Sequence, residues 1–369
     1  DPRWGRVMES TGEDGYLNSL YAKALVEGYQ RQQGGMDSLA ACVKHFAGYG
    51  APEGGREYQT MELSDETFRE FYLPAYESAV KAGSRMVMTA FQTVKGIPAT
   101  VNRSLLRGIL RGEMEFDGVL ISDYSAIGET VVHGVSEDRA DAAGRALEAG
   151  VDIDMMSGVY PEYLAGLVRS GRLDEALLDE SVLRVLELKN WLGLFEDPFH
   201  GADEAKESGT YLCEDHRKLA YEAAVKSFVL LKNEDGVLPL SPERKTAFIG
   251  PYTESQELMG SWSFTGGAGT EMVKTIRMAA EEALAGWPVT YHTGCPPLAP
   301  GTVLEGFDRY RPCSASGEEL VCWKEEALKA AGEADVVVMP LGEHCFQSGE
   351  AASRAFLEIS EIQQDLFRA

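Results

Sequence analysis

The stretch Gly118-Val119-Leu120-Ile121-Ser122-Asp123-Tyr124 ends an apolar run, Val119 to Ile121, abruptly on a carboxylate followed by an aromatic. A short continuous apolar run reads as a strand buried on both faces, the pattern of a parallel sheet. In barrels of parallel strands the chemistry sits where those runs end. An Asp at that point can face a cleft, and the Tyr beside it can pack on a ligand ring. Alternatively, Asp123 only caps the helix that follows, since Asp is a favoured N-cap. The stretch by itself leaves both readings open.

Working outward, residues 39–46, 85–91 and 151–155 read as further short apolar strands. Helical patterns follow at 65–81, 104–113, 138–149 and 161–191, the last long enough for several helices. Gly83 and Gly150 stand just before strands, where helix C-caps belong. Alternating βα units imply a parallel sheet with right-handed crossovers. About four units are legible, whereas a closed (β/α)8 barrel takes eight. The expected fold class is therefore α/β: residues 1–195 as a TIM-like barrel whose N-terminal part is missing, followed by an α/β sandwich domain whose C-terminal part is missing.

Around Asp197-Pro198-Phe199 the rhythm breaks, and residues 196–243 read as an interdomain linker. It holds a helix over about 213–226, then a strand, turn and exit over 227–240. Residues 244–369 resume an α/β pattern, with strands at 246–250, 289–292 and 336–339 and helices at 271–285 and 324–332. No G-x-G-x-x-G follows a strand, which argues against a dinucleotide site.

With 34 basic and 59 acidic residues the net charge is −25. A field that acidic disfavours nucleic acid and anionic membrane as partners. No apolar stretch approaches the roughly 18 residues that span a bilayer. The six cysteines, Cys42, Cys213, Cys295, Cys313, Cys322 and Cys345, lack metal-ligand spacing. Cys42, inside an apolar run, reads as a small buried hydrophobe. The chain opens without Met or a signal-like segment, and both ends read as cuts through a longer protein. A cytoplasmic location is the expectation, and a homo-oligomer stays open.

Several polar groups fall at strand ends. Lys44-His45 precedes Phe46-Ala47-Gly48-Tyr49-Gly50, and a cation beside an imidazole suits the hydroxyls of a sugar. The alternative is a surface Lys beside a satisfied interior His. Asp152 and Asp154 alternate onto one face of their segment, either lining a cleft or bonding structurally to Arg or Lys. In the second domain the loop Gly342-Glu343-His344-Cys345-Phe346-Gln347-Ser348-Gly349-Glu350 continues to Arg354. Loops of this kind carry function on a rigid scaffold, and Glu350 is its candidate, against the plainer reading of a solvated Glu.

Taken in order, six motifs become recognisable: Asp1-Pro2-Arg3-Trp4-Gly5-Arg6 with Glu9-Ser10 and Glu13-Asp14, Lys44-His45-Phe46, Ser122-Asp123-Tyr124, Leu231-Lys232-Asn233-Glu234-Asp235-Gly236-Val237-Leu238-Pro239-Leu240, Gly260-Ser261-Trp262-Ser263, and Ser348-Gly349-Glu350-Ala351-Ala352-Ser353-Arg354. The chain resembles glycoside hydrolase family 3 over nearly all its length, and within it the bacterial β-glucosidases. The resemblance implies a retaining, exo-acting β-glycosidase that takes small oligosaccharides or aryl and alkyl β-glycosides and needs no metal or organic cofactor.

Position by position, it implies that Asp123 is the nucleophile and Glu350 the acid/base, and that Arg6, Lys44 and His45 hold the glycone hydroxyls. Phe91 falls where some members carry Tyr, and Tyr124 where many carry Trp. Trp262 would help form the aglycone side. The family Asp that grips the distal glycone hydroxyls precedes the first motif and has no counterpart here. The nearest alternatives are a β-xylosidase or α-arabinofuranosidase of the same family, or a non-catalytic carbohydrate-binding fragment.

Overall fold

The apolar runs of the first half form β1 (Cys42–Phe46), β2 (Met86–Thr89) and β5 (Val119–Ile121). A two-residue-arm hairpin, β3 (Thr93–Val94) with β4 (Ile97–Pro98), follows β2. The computed structural model describes residues 1–34, 38–199, 202–256, 273–302 and 315–369. These divide into two units, Glu9–Glu204 with Asp1, and Ala205–Ala369 with Pro2–Met8. Sequence order alone gives no sign that Pro2–Met8 groups with the second unit.

In the first unit β1, β2 and β5 pair in parallel in the order β1-β2-β5. Val87, Val119 and Leu120 are buried within it, as continuous apolar strands require. Residues 151–155, expected as a full strand, contribute one parallel bridge, Ile153 to Ile121. The flanking carboxylates explain the shortfall, because Asp side chains compete with the ladder for backbone N–H groups. Asp154 accepts from the N–H groups of Ser157 and Val159, at 3.1 and 2.8 Å, and turns the chain away. Among the described residues the sheet is an open one rather than a closed ring of eight.

The helix expected over 65–81 is three segments: Asp65–Thr67, a wider-turned Phe68–Tyr72, and Pro74–Lys81. Pro74 has no N–H to give and its ring crowds the preceding turn; just before it Leu73 N bonds Phe68 O, five residues back. The pattern over 161–191 resolves into Val159–Arg169 and Glu175–Trp191, the second capped by Asp174. Asp138 caps Arg139–Ala149, which Gly150 terminates at φ +98°. A helix the sequence reading does not contain, Gly15–Gly34, is pinned to the sheet by one amide. Gln30 accepts from Ala41 N and Arg85 N and donates to Gly83 O.

Asp152 decides the open question about its face. Its carboxylate is fully buried and accepts from Arg111 (2.8 Å), Arg184 (2.9 Å) and Leu120 N (2.8 Å). Arg111 also reaches the carbonyls of Phe116, Gly118 and Gly150. Burial pushes the Asp152 carboxyl up, against the pull of the two guanidiniums, and pushes Arg111 down. The role is structural.

The second unit holds β6 (Thr246–Ile249), β7 (Val289–His292) and β8 (Val336–Val338), parallel in the order β7-β6-β8. Ala247, Ile249, Cys295, Ala327 and Leu366 form its core. Helix Gly317–Glu333 starts earlier than the expected 324 because Ser316 and Glu319 make a capping box. Helix Ile276–Ala283 starts at the Thr275 cap; residues 271–272 of the expected helix lie outside the described residues.

Residues 227–240 form no strand. Phe228 to Leu231 are exposed, and a single turn, Glu234–Gly236, follows. An apolar run without a neighbouring strand to pair with leaves its backbone groups to solvent. Asn233 brackets the turn instead, bonding both N–H and C=O of Leu238. Gln363, fully buried in helix Glu361–Arg368, donates to Pro297 O and Gly342 O and accepts from Gly342 N.

Cys42, Cys213, Cys295, Cys322 and Cys345 are free thiols, and burial pushes Cys42 up to about 11 and Cys295 to about 12. Cys313 lies outside the described residues. Among the described residues no helix is long and apolar enough to cross a membrane.

Two substitutions test these anchors. Asp152→Ala leaves two guanidiniums without their buried partner and is expected to cost about 3–5 kcal/mol of unfolding free energy in urea titration. Gln363→Leu keeps the volume but strands the Gly342 and Pro297 backbone groups. It is expected to lower stability by at least about 1–3 kcal/mol, the cost of one unsatisfied buried group, on the same measurement.

Candidate active site

In a parallel sheet all strand C-termini lie on one edge, and the loops leaving that edge collect polar side chains. In the first unit that edge carries His45 at the end of β1, Phe91 just past β2 and Asp123 just past β5. Between Val43 and Phe46 the β1 register slips, so that Lys44 and His45 together oppose one residue of β2. Such a bulge re-aims side chains. Here His45 Nε2 lies 3.4 Å from Asp123 Oδ2, with both residues buried. The His45 carbonyl accepts from Tyr76 Oη at 2.5 Å, which holds the turn of backbone behind the ring.

The helix-cap reading of Asp123 does not hold. Its Oδ1 accepts from the N–H of the next residue, Tyr124, at 2.7 Å. The following helix, Ala126–Val132, has Ser125 at its N-cap position, in left-handed backbone at φ +59°. Ser122 ties the loop to its neighbour: its N–H donates to Ile153 O and its Oγ accepts from Met155 N. Ser125 N reaches Met155 O at 2.7 Å. Tyr124 N thus holds one carboxylate oxygen by a hydrogen bond, and the His45 ring stands 3.4 Å from the other. Tyr124 itself is 58% exposed, Lys44 is exposed, and Phe91 is buried.

Aromatic rings continue from this pair. His45 meets Tyr49 edge-on at 4.9 Å, Tyr49 meets Phe91 at 6.0 Å, and Phe91 meets Tyr58 edge-on at 5.1 Å. Tyr58 was not singled out from sequence; the aromatic content of the segment after Lys44-His45 was the only available signal. Asp152 is engaged with guanidinium and backbone groups, and Asp154 with backbone N–H groups, as described above.

The second unit builds its own constellation. A loop after β8 carries Glu350, at the strand order's switch point, where open α/β sheets place functional loops. Residues of the first motif thread alongside this loop. Gly5 N donates to Ala352 O (2.9 Å), Gly349 N to Gly5 O (2.7 Å) and Arg354 N to Arg3 O (2.9 Å). A Cβ on Gly5 would fall onto the carbonyl oxygens of Ala352 and Gly349, so only glycine permits this approach. The threading brings buried Arg6 to Glu350, Nη1 to Oε1 at 3.6 Å. Gly349 (φ +109°) and Ala351 (φ +59°) turn the backbone on either side of Glu350. Arg354 pairs with Glu343, and Tyr252 Oη donates to Glu343 O, closing the loop base.

Of the residues named from sequence, Lys44, His45, Phe91, Asp123 and Tyr124 belong to the first unit, and Arg6 and Glu350 to the second. Trp262 lies outside the described residues. Among the described residues no group of three His, Cys, Asp or Glu side chains is arranged to hold a metal ion.

Comparison with known proteins places these features. Residues 1–188 match the glycosyl hydrolase family 3 N terminal domain, and residues 228–369 the family's C-terminal domain. A periplasmic β-glucosidase of Salmonella typhimurium is 38% identical over 379 residues, covering 100% of this chain and 49% of that protein. A β-xylosidase of Formosa agariphila is 33% identical over 394 residues, covering 100% of this chain and 51% of that protein. The crystal structure of a β-glucosidase from Listeria innocua in complex with isofagomine superposes with a TM-score of 0.88 at 43% identity, over 99% of this chain and 48% of that one. Further structures of that enzyme hold glucose and, in a mutant, laminaribiose. The chain spans about half the length of the relatives it matches. It belongs to glycosyl hydrolase family 3.

Proposed function

We propose that the protein is a retaining, exo-acting β-glucosidase that releases terminal β-D-glucosyl residues from the non-reducing end of small oligosaccharides or aryl and alkyl β-glucosides. The observation that carries this reading is the Asp123 carboxylate, buried at the carboxyl end of β5, hydrogen-bonded by Tyr124 N and 3.4 Å from His45 Nε2. It stands in a chain whose family relatives include β-glucosidases. The parallel arc β1-β2-β5 with Ile153 is read as a sector of a (β/α)8 barrel.

In the first step the Asp123 carboxylate attacks the anomeric carbon while Glu350 gives its proton to the departing glycosidic oxygen. A glycosyl ester on Asp123 forms and the aglycone leaves as an alcohol. In the second step Glu350 takes a proton from water, the water oxygen attacks the anomeric carbon, and Asp123 leaves as carboxylate. Double displacement of this kind retains configuration. A buried carboxylate with one oxygen held by Tyr124 N has little orientational freedom left, and positioning of that kind lowers part of the barrier. Arg6 Nη1 stands 3.6 Å from Glu350 Oε1, beside the group that acts as the base of the second step. Lys44 and His45 bind glycone hydroxyls. The acidic surface does not oppose a neutral sugar.

A second reading, β-xylosidase, is favoured by the match of the whole of this chain to 51% of the Formosa enzyme. The two differ by the hydroxymethyl group at C5 of the sugar. A group of that size in a fitted pocket separates substrates by about 10–200-fold in kcat/KM. Comparing 4-nitrophenyl β-D-glucopyranoside with the β-D-xylopyranoside decides between them, and a preference for the glucoside is expected.

Asp123→Ala is expected to abolish turnover and to prevent mass-spectrometric trapping by a 2-fluoro glucoside; normal turnover by this variant would sink the assignment. Glu350→Ala is expected to lose about 10²–10⁴-fold on substrates needing acid catalysis. Azide should restore part of the rate with an activated aryl glucoside, yielding the glucosyl azide.

A further inference from the structure

Successive carbonyls at the exit of β1 are each held by a different donor. His45 O accepts from Tyr76 Oη at 2.5 Å, Phe46 O from Ala90 N at 2.9 Å, and Ala47 O from Gln92 Nε2 at 2.7 Å. The middle bond runs between backbones; the outer two come from side chains. Tyr76 sits in helix Pro74–Lys81, and its ring also meets Phe46 edge-on at 5.1 Å. One side chain therefore grips two consecutive residues. Its helix is itself tied down, because Ser78 Oγ donates to Ser19 O in helix Gly15–Gly34. Gln92 is fully buried, and its own carbonyl accepts from Ala99 N just past the hairpin. Its Oε1 accepts no hydrogen bond among the described residues, so the Ala47 carbonyl orients the amide.

The bulge in β1 explains what these anchors are for. Lys44 and His45 together face one residue of β2, and the extra residue of a bulge drops out of the ladder. A buried carbonyl in that position needs a donor from elsewhere. The ladder also leaves open which of the two residues takes the extra place. A slip by one residue exchanges the faces that neighbouring side chains present, and Lys44 would then stand where His45 stands. In the fold His45 is buried, with Nε2 3.4 Å from Asp123 Oδ2, while Lys44 is exposed. Side-chain donors on either side of Phe46, one from a helix and one from the β2 exit, pin that register from outside the ladder.

We propose that Tyr76 and Gln92 are positioning residues of the Asp123 site. Together they hold the β1 exit in the register that sets the His45 imidazole, rather than the Lys44 ammonium, beside the carboxylate. Both act through His45. The consequence for turnover rests on the β-glucosidase reading; the placement of the imidazole does not.

The test uses Tyr76→Phe, which keeps the ring on Phe46 and removes the hydroxyl. Its companion is Gln92→Met, which keeps the side chain's length and removes the donor. In protein carrying isotopically labelled histidine, the His45 ring signal in NMR spectra is identified by its loss in His45→Gln. In the parent that signal is expected to shift on Asp123→Asn. In Y76F and Q92M it is expected to leave its parent position and to lose part of that response. With 4-nitrophenyl β-D-glucopyranoside each variant is expected to lower kcat/KM about tenfold, short of the roughly 10²-fold that a misplacement of about 1 Å costs. Neither is expected to lower it further in an H45Q background, whereas independent groups would add their effects.

A His45 signal unmoved in both variants overturns the proposal. So does a loss of kcat/KM as large in the H45Q background as in the parent. If one variant does not fold, the other carries the test; loss of folding in both makes the anchors structural and overturns the proposal. A parent that does not hydrolyse the glucoside refutes the function reading alone, and the histidine spectra still decide the register.

Discussion

The Asp152 carboxylate is the contact on which the first unit depends. It is buried among two guanidiniums and a backbone N–H of β5, and each of those donors comes from a different element. A charge so deep is tolerable only while fully paired. That requirement fixes the helices holding Arg111 and Arg184 against β5 and aligns β5 with the segment beside it. Once the beginnings of those segments are aligned, their ends are too. Ser122 then meets Ile153 and Met155, and Asp123 leaves the sheet at a set height. The clamp is remote from the candidate chemistry, yet it decides where Asp123, the proposed nucleophile, stands.

The second unit solves the same problem with backbone rather than charge. Glu350 sits on a loop, and a loop left to itself would pay heavily in conformational entropy for one productive geometry. The ladder from Arg3 and Gly5 to Gly349, Ala352 and Arg354 removes that freedom. It works because Gly5 has no Cβ to keep the two backbones apart. The same threading delivers Arg6, so that one stretch of seven or so residues both stiffens the loop and supplies its cation. Gln363, through Gly342, holds the other end of the loop base.

The two candidate carboxylates are treated differently by their surroundings. Asp123 is buried, one oxygen held by the next residue's N–H and the other 3.4 Å from an imidazole. Glu350 is half-buried and faces a guanidinium at a distance longer than a close ion pair. A nucleophile benefits from fixed orientation, whereas an acid/base must reorient between giving and taking a proton. The difference in restraint suits that division of labour.

Much was legible in the residues themselves. The apolar runs at Val119, Met86 and Val336 read as strands, because hydrophobic continuity over so few residues fits a parallel sheet, and each pairs in one. The motifs around Asp123 and Glu350 led to the family, because carboxylates at strand ends and on glycine-bounded loops are local patterns. What sequence left undecided was every question that depends on a distant partner. The run at Phe228 is as apolar as a strand but pairs with no strand among the described residues, and Val151 to Met155 loses its ladder to two Asp side chains. Asp123 stops being a possible helix cap only once the fold shows Tyr124 N on its oxygen and Ser125 at the N-cap position. Arg6 and Glu350 lie 344 positions apart in sequence, and no local pattern joins them. Local chemistry is written in composition and spacing; which side chains meet is set by packing, and only the folded chain decides that.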